Sequence, residues 1–112
     1  MNQLCELSVL LNKDGESQQI AKDVVYALQN GDRLIVKDIL GTTTEISSAM
    51  IAKVNITNET LTLIAHPLVG QFLKFFALYT ETDGSISDIE QAWNQLKKMG
   101  DELIRRSENQ SL

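Results

Sequence analysis

The hydrophobic pattern changes its period once, at His66-Pro67, and that change decides what the chain can fold into. Before it, apolar residues alternate with polar ones and turn signals recur. After it, apolar residues recur at spacings of three and four. Period two belongs to half-buried strands and the longer period to helices. The sequence therefore divides into a strand-built part, 1–66, and a helical part, 67–112.

In the first part, "CELSVLLN" puts Cys5, Leu7, Val9 and Leu11 on one face and Glu6 and Ser8 on the other. Asp14-Gly15 then marks a hairpin turn, because glycine takes positive φ without steric cost. "QIAKDVVYALQ" reads as a second strand, with Asn30-Gly31 in the turn positions after it. "LIVKDIL" is the third strand and ends at Gly41. "EISSAMIAKVNI" is the fourth, long enough to bend near Ser47-Ser48, and "LTLIAH" is the fifth. Five short strands joined by tight turns predict a small antiparallel barrel, since a sheet this small must curl or pair to protect its edges.

Pro67 suits the first turn of a helix, where its missing N–H is not needed. "PLVGQFLKFFALYT" is apolar on nearly every side, so it requires cover from more than one direction. Gly70 weakens that helix locally but admits another backbone. After "ETDGS", Ser87-Asp88-Ile89-Glu90 has the pattern of a capping box. The second helix then carries Ile86, Ile89, Trp93, Leu96, Gly100 and Leu103 as one stripe. The expected architecture is α+β: a small antiparallel β-barrel followed by a C-terminal helical hairpin. The surplus apolar surface of the first helix predicts a homodimer, with Leu68, Phe72, Phe75, Phe76, Tyr79 and Trp93 as its interface. Trp93 reads as a packing anchor there.

Composition narrows the function classes. A single cysteine in 112 residues permits no internal disulfide. No basic region followed by an apolar run opens the chain, and the most apolar stretch, Leu61 to Tyr79, is interrupted by His66, Pro67, Gln71 and Lys74. A cytoplasmic protein without a membrane span is expected. The net charge of −5 disfavours nucleic acid as a partner, because phosphate binding draws on an excess of Lys and Arg. No Ser–His–acid order and no phosphate-cradling glycine loop occurs, so the chain reads as a non-enzyme. Asp83, Asp88 and Glu90 lack the spacing of a calcium loop and suit the start of a helix instead.

Two residues carry metal-binding chemistry. Cys5 offers a soft thiolate, suited to nickel, zinc or copper. It is also in phase with Leu7 and Val9, so a core role is open, and a redox-sensing role is a third reading. His66 is the sole histidine. If the first and last strands pair antiparallel, Cys5 and His66 become neighbours and form an N/S pair for a borderline metal. The alternative is a histidine that caps the strand–helix junction locally.

The stretches Cys5 to Leu11, Asp23-Val24, Gly31-Asp32 through Gly41, and Ile51 to Ile64 together resemble the CooT-like family, whose members are also labelled predicted RNA-binding proteins. The resemblance covers about the first 65 residues. It implies an SH3-like barrel, a homodimer, and a nickel-binding accessory protein for maturation of carbon monoxide dehydrogenase, with the N-terminal cysteine as metal thiolate. The one position that carries over is Cys5. In the family this cysteine directly follows the initiator methionine; here Asn2, Gln3 and Leu4 intervene, and the helical part lies outside the family unit. Three functions follow: a metal-binding accessory protein with a metalloenzyme client, a protein-interaction or dimerisation module with an inert thiol, and an RNA-binding barrel.

Overall fold

The computed structural model describes residues 6–81 and 84–110. Six strands, β1 (Leu7–Lys13), β2 (Glu16–Asn30), β3 (Arg33–Asp38), β4 (Thr43–Ser47), β5 (Ala49–Asn55) and β6 (Thr60–Ala65), precede two helices, α1 (Pro67–Thr80) and α2 (Ile86–Gln110). The strands form one sheet in the order β4-β3-β2-β1-β6-β5.

That order forces the sheet to curl. β4 and β5 lie at opposite ends of it, yet only Ser48 separates them in the chain. In a flat sheet they would stand about 24 Å apart, five spacings of roughly 4.8 Å. The two Cα–Cα steps from Ser47 to Ala49 span at most about 7 Å. The sheet therefore rolls until its ends meet at Ser48, which takes a left-handed φ of 55° to turn the corner. Three hydrogen bonds lock this corner: Ser48 N–H to Asp32 O (2.6 Å), His66 N–H to Ser48 O (3.0 Å) and Gln29 Nε2 to Ala49 O (2.9 Å). The bend expected near Ser47-Ser48 is thus a full break, and the expected fourth strand is two.

The closure is partial. Val9, Val24, Leu34, Val36, Ala49, Leu61 and Leu63 form the buried core inside the curl. Ile51 and Val54, whose sheet partners are the buried Leu63 and Leu61, remain partly exposed on β5. The product is a half-barrel.

The hairpin readings hold with one shift. Asp14 and Gly15 both take positive φ (54° and 79°), as a two-residue type I′ turn requires. The next turn is Gly31-Asp32, since Asn30 pairs with Arg33. Gly31 at φ 60° fits the first position of a type II′ turn.

One expectation is overturned. The barrel is not all antiparallel: β1 and β6 run parallel, from Ser8 opposite Thr60 to Asn12 opposite Ile64. Alternation of apolar residues gives each strand's face but not its direction, and the β5–β6 hairpin enters beside β1 in the opposite sense from a simple meander.

The helices pack mainly on each other. α1 meets the barrel where Gly70 lies against Ser48; a Cβ at Gly70 would collide with the Ser48 side chain. Lys74 Nζ reaches Asp32 Oδ2 beside the same corner, at 3.8 Å. The hairpin otherwise stands off the barrel, and the radius of gyration of 16.9 Å exceeds the roughly 13 Å of a compact chain of this length. The start of α2 also differs from expectation. Ser85, not Ser87, caps it: Ser85 Oγ accepts from Asp88 N–H at 3.1 Å, and Ser85 O takes the first helical bond from Ile89 N–H. The helix begins two residues earlier, so that Ile86 opens the apolar stripe.

Candidate metal and interaction sites

The sequence singles out two places, Cys5 and His66, and the strands expected to join them pair in parallel. β1 begins at Leu7, so Cys5 comes two residues before it in the chain. Cys5 itself lies outside the described residues. The strand it leads into starts beside a turn and a bulge that both hold left-handed backbone. Ser8 N–H donates to Glu59 O at 2.9 Å, and Leu7 is opposite Val24, next to the bulge at Asp23. Glu59 and Asp23 both hold positive φ (53° and 55°).

His66 follows β6, and in the parallel register it falls beyond the Lys13 end of β1. It is a strand's length, about 20 Å for seven residues, from the end that Cys5 precedes. The expected neighbouring of the two required an antiparallel pair, and that condition fails. His66 instead caps α1. In extended conformation (φ −166°, ψ 144°), it accepts the Leu68 N–H on Nδ1 at 2.9 Å. With Nδ1 as acceptor, the neutral ring carries its proton on Nε2. The residue borders an open cleft of about 190 Å³ between the start of α1 and Met99, Glu102, Leu103 and Arg106 of α2. Among the described residues, no three His, Cys, Asp or Glu side chains converge as metal ligands do. A metal reading therefore rests on Cys5.

The third place is the helical hairpin. Phe75 is half-buried between the helices, with its ring 5.5 Å from Trp93 and 6.3 Å from Tyr79. Leu68 is half-buried as well. Phe72 and Phe76 stack at 6.0 Å and are exposed, as are Tyr79 and Trp93. Trp93 thus anchors the hairpin with one edge and presents the other outward. Ile86 and Ile104 extend the exposed stripe along α2. Ile104 was legible as a missed continuation, one residue past Leu103 and eleven past Trp93 on the same side of the helix.

On the barrel, Tyr26 is the exposed aromatic, with Lys37 Nζ 5.3 Å from its ring centre. Arg33 is paired with Glu45 at 2.8 Å. This is not a basic strip with interleaved aromatics, as single-stranded nucleic acid calls for. Among the described residues, no helix is long and apolar enough to cross a membrane.

A curled half-barrel whose first strand follows a cysteine, with two helices after it, defines a small α+β protein. The chain belongs to the CooT family: the model of CO dehydrogenase accessory protein CooT matches residues 4–64. The match starts one residue before Cys5 and ends within β6. Among solved structures, the chain is similar to a crystal structure described as CooT from Carboxydothermus hydrogenoformans, at 21% identity and a TM-score of 0.49, over 55% of this chain and 98% of that one. No curated protein matches it.

Proposed function

We propose that the chain is a non-enzymatic accessory protein that binds nickel through the Cys5 thiolate, works as a cytoplasmic homodimer on an SH3-like scaffold, and serves a metalloenzyme client. The observation that carries this reading is the family match over residues 4–64, which includes Cys5 and stops before the helices. Thiolate suits a borderline ion such as nickel. One cysteine per chain cannot close a site alone, so a two-fold pairing that brings two Cys5 thiolates together, with backbone nitrogen or water, completes it. In this reading His66 serves as the cap of α1, its Nδ1 taking the Leu68 N–H, and the ligand is Cys5.

The test is titration of the purified chain with nickel, followed by near-ultraviolet absorbance and calorimetry. A sulfur-to-nickel charge-transfer band is expected, at no more than one ion per chain. Binding should strengthen as pH rises, because the thiol must shed its proton to ligate. Cys5→Ser should abolish the band with the fold intact. Identical flat traces for both proteins would end the metal reading.

A second reading has its own support. The exposed aromatics Phe72, Phe76 and Tyr79 suit an interaction or dimerisation module whose thiol is inert. In that case Cys5→Ser leaves association unchanged.

A further inference from the structure

We infer that the helical hairpin, which lies outside the family unit, is itself a self-association device: it pairs with the hairpin of a second copy about a two-fold axis to make an antiparallel four-helix bundle. This rests on the homodimer reading above and deepens it by giving the appended helices a contact of their own.

Three observations carry it. The first is area. One chain exposes 8173 Å², whereas a compact monomer of its 12.5 kDa mass exposes about 6,200 Å². The excess, about 2,000 Å², is more than the roughly 800 Å² that each partner contributes to a stable interface of standard size.

The second is the pattern of what is exposed. Phe72, Phe76 and Tyr79 fall at i, i+4 and i+7 along α1, and all are at least 50% exposed. On α2, the spacing Ile86, Ile89, Trp93, Leu96, Gly100, Leu103 alternates three and four without a break, which is the seam pattern of helices that pack at a shallow angle. α1 covers part of this seam, yet on it Ile86 is 75% and Trp93 is 49% exposed, and Ile104 beside its end is 61% exposed. A seam that its own chain covers only in part fits a bundle of four helices rather than two. Gly100 adds to this. Glycine inside a helix costs about 1 kcal/mol relative to alanine. Its own chain gives no reason for it, since a Cβ there would meet nothing within 4 Å. A mate's helix approaching along the seam does.

The third is charge. The first turns of α2 carry Asp88 and Glu90 and no basic residue, while its second half carries Lys97, Lys98, Arg105 and Arg106 against Asp101, Glu102 and Glu108. Antiparallel pairing sets the acidic start of one α2 beside the second half of its mate, where the basic residues lie. Parallel pairing would set like beside like.

The experiment is light scattering coupled to size exclusion on the full chain at about 100 μM, well above the affinity expected of an interface of this size. The wild type should run as a dimer. Phe76→Glu should run as a monomer with unchanged far-ultraviolet dichroism. Should Phe76→Glu aggregate, Tyr79→Lys decides, because that side chain is 65% exposed and its loss removes little from the chain's own packing. A wild-type monomer overturns both this inference and the homodimer reading. A dimer that survives Phe76→Glu or, where that variant aggregates, Tyr79→Lys overturns this inference alone and moves the contact to the half-barrel. Loss of nickel binding in a variant that stays dimeric would separate the metal reading from both.

Discussion

Replacing Gly70 with alanine should destabilise the protein, although alanine is the better helix former. A glycine in a free helix interior would gain about 1 kcal/mol from this change. At Gly70 the added Cβ would overlap Ser48 Oγ, come within 2.7 Å of Ser48 Cβ and lie 3.1 Å from its Cα. Ser48 cannot step back, because its N–H is held by Asp32 O and its carbonyl by His66 N–H. Inserting one carbon into such a contact costs about 1–3 kcal/mol. Offset by the helical gain, the net loss is about 0–2 kcal/mol. Each kcal/mol lowers the melting temperature of a chain this size by about 4 °C or more. Ser48→Gly removes two of the three clashing atoms, and it also relieves the left-handed φ of 55°. Gly70→Ala should therefore become neutral or stabilising in the Ser48→Gly background. The assay is a double-mutant cycle by urea denaturation, read as the coupling between the two sites. A gain of about 1 kcal/mol from Gly70→Ala in the wild-type background would refute the reasoning, since it would mean that α1 does not rest on the Ser48 corner.

Two further outcomes follow from the core and the cap. Leu63 is fully buried in the half-barrel, so Leu63→Ala should cost about 2–5 kcal/mol by urea denaturation; a loss below about 1 kcal/mol would mean the curl is looser than described. His66→Ala removes the acceptor for Leu68 N–H and should cost about 1 kcal/mol; nickel binding should be unchanged, and its loss would restore His66 as a ligand.

Much of the strand content was legible because turn chemistry is local. Asp14-Gly15 and Gly31 mark their turns by residue type, and Pro67 marks the first helix. The face of each strand was legible too: Val9, with Leu7 and Leu11 packed beside it, lies on the core side as the alternation requires. What alternation does not encode is direction and order. The parallel β1–β6 pair joins residues some fifty positions apart, and nothing within either strand announces it. The expected neighbouring of His66 and Cys5 was argued from an antiparallel pair, so it loses its ground with that direction. Ser48 shows a second limit: a serine in left-handed backbone carries no local signature, and only the sheet order explains why the chain breaks there. For the candidate sites, residue chemistry pointed to Cys5 and His66, but the ring's cap role depends on the Leu68 N–H that the fold brings to it.

The parallel pairing of β1 with β6 has a consequence for how the protein is made. β1 to β4 can fold as each emerges from the ribosome, since every pairing among them is between neighbours in the chain. β1 keeps its other edge unpaired until Thr60 to Ile64 has been synthesised, some fifty residues after Ser8. Contacts of such long sequence separation are slow to form, because the loop between them must first be closed. The strand that follows Cys5 is thus made before the other strands of the sheet and enclosed only after β6. Through that interval its bare edge is open to pairing with another nascent chain, and the rate of β6 arrival sets how long that hazard lasts.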